Sequence, residues 1–252
     1  MTNDKSRWKG KVAMVTGATT GIGEAVAYQV AEMGLSVVLV GRRADRLEAV
    51  AENVRARGGK ATPINCDIGD PAAISALFDE VRNRVGGLDV LINNAGVGYQ
   101  SAIGTFDTTE LRQVLDINVL GTALCIREAL PFFDNRLDTA IVTISSMAAH
   151  RIPAGGYGMY AASKHAVRAI MEALRLELAE IRSPTKVANI SPGTVATEFH
   201  KLFVRTGEDP TEALPFQRLT PDDVADAVAY LLSTPSHVQI NEMLIRPTGQ
   251  IG

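Results

Sequence analysis

Short apolar, β-prone runs alternate with longer stretches of helical period along all 252 residues, and this alternation restricts the fold more than any single motif. Runs at 12–15, 37–40, 61–66, 89–92, 140–144, 187–190 and 242–245 read as strands. Between them, helical spacing covers 24–33, 44–57, 71–84, 109–133, 160–181 and 221–232; in the fifth of these the apolar residues are Val167, Ile170, Met171, Leu174 and Leu178. Each return to a parallel strand needs a crossover, so the pattern predicts an α/β chain with a seven-stranded parallel sheet covered by helices on both faces. No repeat, composition break or low-complexity linker divides it, and one domain over 1–252 is expected. The exception to the regular pattern is 191–219, which carries three prolines. A connection this long inside a compact domain reads as a binding loop or lid, placed at about 192–219.

The first strand runs into Thr16-Gly17-Ala18-Thr19-Thr20-Gly21-Ile22-Gly23 and then a helix. Glycines at this strand-to-helix turn permit a tight bend, let the backbone approach a pyrophosphate and leave amides free at the positive end of the helix, the mark of a doubly wound, Rossmann-type dinucleotide site. The spacing is Gly-x-x-x-Gly-x-Gly, which departs from the more familiar Gly-x-Gly-x-x-Gly. About 20 residues beyond the glycines, an acid would be expected to hold a ribose 2′-hydroxyl. That place holds Gly41, Arg42 and Arg43. A guanidinium grips a 2′-phosphate where a carboxylate would repel it, so NADP(H) is expected over NAD(H). The arginines could otherwise merely open a surface helix.

A net charge of −3 with 21% charged residues, and no basic stretch interleaved with aromatics, argues against a nucleic-acid partner. No run is long and apolar enough for a membrane span, and the polar stretch 1–11 lacks the apolar core of a secretion signal, so a cytoplasmic protein with no membrane partner is expected. Cys66 and Cys125 have no framework spacing and read as buried thiols, while His150, His165, His200 and His237 are scattered; no metal is assigned.

Tyr157-Gly-Met-Tyr160-Ala-Ala-Ser-Lys164 follows an apolar run ending in Ser145 and Ser146. Tyr160 and Lys164 are four apart and share one helix face, whereas the partner of Tyr157 at the same spacing is Ala161. A fixed cation favours the phenolate and draws a tyrosine toward the working range for proton transfer. Spacing alone does not say which serine points at such a site.

Taken together, the glycine turn, Asn93-Asn94-Ala95-Gly96, the serine after strand five, Tyr160-x-x-x-Lys164 and Pro192-Gly193 resemble the short-chain dehydrogenase/reductase family over essentially the whole chain, about 9–251. Ser146 to Arg151 and the C-terminal Glu-Met-Leu-Ile-Arg-Pro-Thr-Gly-Gln are similar to its NADP-dependent carbonyl reductases; Arg246-Pro247-Thr248 stands where acyl-carrier-protein reductases carry paired glycines. The resemblance implies that Ser146 hydrogen-bonds the substrate oxygen, Tyr160 transfers the proton, Lys164 lowers the Tyr160 pKa and holds the ribose, and Asn118 holds a water in a proton relay. It further implies that Asp67 and Ile68 hold the adenine, that Asn94, Ala95 and Gly96 serve the nicotinamide ribose, and that Pro192, Gly193, Val195 and Thr197 border the carboxamide. Relatives assemble as homotetramers or homodimers through the helices at 109–133 and 160–181. A catalytically silent NADP(H)-binding regulator is the competing reading. Between 197 and 219, Phe199, Leu202, Phe203, Val204, Leu214 and Phe216 point to an apolar ketone, aldehyde or alcohol substrate, and Lys201 and Arg205 leave room for a small acidic one.

Overall fold

A computed structural model describes residues 6–134, 136–204 and 208–251. Seven strands, β1 (Val12–Thr16), β2 (Ser36–Gly41), β3 (Lys60–Asn65), β4 (Val90–Asn93), β5 (Ala140–Ile144), β6 (Lys186–Pro192) and β7 (Glu242–Ile245), form one sheet in the order β3-β2-β1-β4-β5-β6-β7. Every pairing is parallel. Helices α1 (Gly21–Glu32), α2 (Ala44–Ala56), α3 (Pro71–Arg84), α4 (Thr108–Leu115), α5 (Thr122–Phe133), α6 (Gly158–Glu180), α7 (Phe199–Val204) and α8 (Pro221–Ser233) complete the described chain, apart from short turns.

Alternation along the strands explains why the apolar runs are continuous. In β2, Val37 and Leu39 pack with Val26, Val30 and Val50 of α1 and α2 on one face, while Val38 and Val40 pack with Ile74 and Leu77 of α3 on the other. Helix α8 covers the first face and α5 and α6 the second. Strand order reverses between β1 and β4, so the connections leaving these two neighbours diverge and open a crevice at their carboxyl ends.

Three element readings change. Helix α1 starts at Gly21, three residues before the predicted start, because its first turn contains two glycines that count against a helix in isolation. The stretch 109–133 is not one α-helix: α4 and α5 are joined by a π-helical segment, Asp116–Gly121. The irregular section contains α7, and Arg205 lies outside the described residues. Cys66 and Cys125 are free and buried, and burial pushes their thiols up to about 11 and about 12. Among the described residues no helix is long and apolar enough to cross a membrane.

Candidate active site

The turn after β1 is shaped by close approaches. Gly21 has φ +60°, and a Cβ on Gly23 would stand 2.2 Å from the carbonyl oxygen of Gly17. Asn94, after β4, ties the turn to the neighbouring strand: its Nδ2 donates to the carbonyls of Thr16 (3.0 Å) and Gly17 (3.2 Å), and its backbone N–H donates to Oγ1 of Thr16. Side chains cap α3, α4 and α8, but Thr20 at the start of α1 makes no capping bond. The α1 amides therefore remain free for an acceptor from outside the chain.

A cavity of about 630 Å³ opens over this turn and runs to the ends of β5 and β6. Gly17, Thr19, Thr20, Gly21, Ile22, Arg42, Arg43, Asp67, Ile68, Asn94, Ala95, Gly96, Ser146, Tyr160, Lys164, Pro192, Gly193, Val195 and Thr197 all line it. Gly23 and Asn118, of the predicted set, stand behind this wall. Thr197 sits against the start of α1, its Cγ2 3.1 Å from where a Cβ of Gly21 would be, so the loop after β6 reaches back across the glycine turn.

Near the start of α6 the structure separates residues that spacing could not. Ser146 stands close enough to Tyr160 to draw its phenol downward, and Ser146 Oγ accepts from the Ala148 N–H at 3.1 Å. Ser145 also lines the cavity, but its hydroxyl is buried with no partner among the described residues. Tyr157 instead stacks on Phe203, ring centroids 4.3 Å apart. Lys164 Nζ donates to the carbonyl of Ile144 at the end of β5 (3.2 Å) and lies 5.8 Å from the centre of the Tyr160 ring.

Residues 11–206 match the short chain dehydrogenase family. This chain belongs to that family. It is 39% identical over 254 residues to dehydrogenase/reductase SDR family member 11 of Bos taurus, covering 97% of this chain and 99% of that protein. It is 40% identical over 250 residues to farnesol dehydrogenase of Aedes aegypti, with 97% and 98% covered. Among solved structures, an alcohol dehydrogenase from the archaeon Thermococcus sibiricus complexed with 5-hydroxy-NADP superposes with a TM-score of 0.84 at 28% identity, covering 97% of this chain and 99% of that one. A Burkholderia cenocepacia short chain dehydrogenase in complex with NADP gives 0.83 at 28%, with 95% and 98% covered.

In this short-chain dehydrogenase the electrostatics of the pair differ from expectation. Burial pushes Tyr160 up to about 12, against a smaller downward pull from Ser146, and burial brings Lys164 down to about 8. Burial is thus the largest influence on Tyr160 in this arrangement. The ammonium leans on the Ile144 carbonyl rather than on the phenol, and the aromatic rings of Phe199 and Phe203, centroids 5.4 and 5.8 Å from that of Tyr160, exclude water from it. Asn118 is buried in the π-helical segment. Its Nδ2 donates to the Val97 carbonyl (2.8 Å) and to Ser163 Oγ (3.0 Å), its Oδ1 accepts from the Val97 N–H (2.8 Å), and Ser163 in turn donates to the Tyr160 carbonyl. The side chain thus ties the β4 loop to the turn of α6 that carries Tyr160.

At the far end, Arg42 pairs with Asp67 (3.6 Å). Arg43 donates to Oγ1 of Thr19 (2.9 Å) and of Thr20 (3.1 Å) and pairs with Glu198 (3.7 Å). Arg151, Pro153, His200 and Gln250 also line the cavity and were not among the residues the sequence singled out as site members. Arg151 and Gln250 fall within motifs that the sequence marked without giving these two residues a role, and their elements meet Pro153 and His200 only in the folded chain.

Proposed function

We propose that this chain interconverts a ketone or aldehyde and the corresponding alcohol with NADP(H), Tyr160 acting as general acid and base. The observation that carries this reading is the convergence of Ser146, Tyr160 and Lys164 on the cavity that also holds the glycine turn. The uncapped amides of α1, the close-approach glycines and the two arginines after β2 fit a phosphorylated dinucleotide. When bound, NADPH supplies the hydride. Arg42 and Arg43 take the 2′-phosphate, Asp67 and Ile68 border the adenine, and Lys164 holds the ribose hydroxyls. Pro192, Gly193, Val195 and Thr197 fix the nicotinamide face.

In reduction, the Ser146 hydroxyl stabilises the oxyanion developing on the substrate oxygen. Tyr160 Oη gives its proton to that oxygen. Burial keeps the Tyr160 proton in place across the neutral range, so the phenol enters the reaction in the form that reduction requires. Asn118 supports a water-borne relay that returns a proton by way of Lys164. The segment 192–219 acts as the lid, and exposed Leu115, Leu120 and Leu176 on α4, the π-helical segment and α6 support a homotetramer or homodimer through those helices.

Two measurements check the reading. Loss of reduced-nicotinamide absorbance with a panel of ketones and aldehydes separates turnover from a silent NADP(H)-binding protein. Within the panel, kcat/KM rises with apolar bulk, because Met147, Ala148, Pro153, Phe199 and Leu202 line the cavity; strong preference for sugars or small hydroxy acids would count against this pocket. The pH profile is a further check. Lys164 carries its charge only below about 8 and Tyr160 keeps its proton to about 12, so kcat/KM for NADPH-driven reduction falls as pH rises through about 8. A profile flat well above that value would show that the Lys164 charge is not needed.

A further inference from the structure

Among the described residues three arginines line the cavity, Arg42, Arg43 and Arg151, together with two carboxylates, Asp67 and Glu198. Both carboxylates are taken: Asp67 pairs with Arg42 and Glu198 with Arg43. Among the described residues Arg151 has neither an ion pair nor a hydrogen bond, and its Nε is buried without a partner. A guanidinium is always ionised, and a charge set against protein surface without a counter-charge is costly. The position is not loose. The preceding residue, His150, has its Nε2 2.7 Å from Glu242 Oε1 and 3.3 Å from Ser191 Oγ, and Arg168 of α6 donates to the other oxygen of Glu242. Strands β6 and β7 and helix α6 thus fix the backbone from which Arg151 departs.

Arg151 also stands at the wrong end for the cofactor's 2′-phosphate. It follows β5, which lies three strands from β2 in the sheet, about 14 Å at ordinary strand spacing. Met147, Pro153 and Tyr157, close to it in the chain, line the same cavity, as do Ser146 and Tyr160. His200, on the lid helix, brings a second buried and unpartnered nitrogen, Nδ1, to the same cavity, and burial holds its ring toward the neutral form.

We infer that Arg151 is a specificity-determining residue that receives a carboxylate carried by the substrate, so that the preferred carbonyl compounds are oxo acids with an apolar body. The inference deepens the proposed function and rests on the same cavity. It places the fixed positive charge outside 197–219, where the sequence offers Lys201, Arg205 and Arg218, the last of them paired with Asp209. The apolar lining still favours bulk, and the guanidinium orients it through a bidentate pair.

Binding tests this apart from turnover. The enzyme, with and without NADP⁺, is titrated calorimetrically with 4-phenylbutyrate and with 4-phenylbutyramide, neither of which carries a reducible ketone or aldehyde. The acid binds at least about 10-fold more tightly than the amide, and Arg151→Met removes that advantage while leaving amide affinity unchanged. Arg151→Lys recovers part of it, since the charge stays and the planar fork is lost. Equal binding of acid and amide to the parent enzyme would overturn the inference, as would an equal loss of both in Arg151→Met. A fall in NADP⁺ affinity in that variant would move Arg151 to the cofactor and overturn it equally. Failure of the parent enzyme to reduce any ketone or aldehyde strikes the proposed function instead and leaves this binding comparison to be judged by itself.

Discussion

Tyr160→Phe lowers carbonyl turnover by about 100- to 10,000-fold, the usual worth of a positioned proton donor, while NADPH affinity stays close to that of the parent. The substitution removes one oxygen and keeps the ring. Tyr160 is packed by Phe199 and Phe203 and contacts Tyr157 edge-on, with ring centroids 6.5 Å apart. A phenylalanine retains those contacts, so loss of activity cannot be charged to collapse of the cluster. What disappears is the hydroxyl that faces Ser146 and the proton that would pass to the substrate oxygen. Steady-state kinetics together with a fluorescence titration of NADPH reads both quantities. Turnover close to that of the parent would remove Tyr160 from the mechanism, and Tyr157, which lines the same cavity, would be tested next. A parallel loss of NADPH affinity would show that the ring, not the hydroxyl, was being measured.

Arg42→Ala weakens NADPH by about 10- to 100-fold, the range expected for one charge-assisted phosphate contact, and leaves NADH little changed. The selectivity is the informative part. Arg42 sits directly after β2 and pairs with Asp67 at 3.6 Å across the cavity mouth. An exposed pair of this kind contributes little by itself, so the guanidinium is available to a phosphate at small cost. Arg43 is more strongly engaged, through Thr19, Thr20 and Glu198. Comparing dissociation constants for the two cofactors in parent and variant decides the point. Equal kinetics with NADPH and NADH in the parent enzyme would show that neither arginine reads the 2′-phosphate.

The sheet was legible because both faces are buried. Central parallel strands covered by helices are apolar almost throughout, and runs such as Val37-Val38-Leu39-Val40 have few other uses. The glycine turn was legible for a related reason: at Gly21 and Gly23 backbone geometry itself excludes a side chain, so the residue type records the conformation. Tyr160 and Lys164 could be paired because four residues on a helix is a local distance. The π-helical segment around Asn118 left no local mark. It is held by partners 21 and 45 residues away in the chain, Val97 and Ser163.

What the sequence determined by itself is whatever follows from period, glycine and short spacing: seven parallel strands, a dinucleotide turn at the first crossover, and a tyrosine with a lysine on one face of a helix. Only the tertiary structure decided how that pair is set. It set Ser146 beside Tyr160, drew Lys164 onto the Ile144 carbonyl, and packed Tyr160 against Phe199 and Phe203, so that burial raises the phenol. It also delivered Arg151 to the cavity with no counter-ion among the described residues while pairing Arg42 and Arg43. Spacing along a chain states which groups can meet. Desolvation and counter-charge depend on everything that packs around them, and those neighbours arrive from elements far apart in sequence.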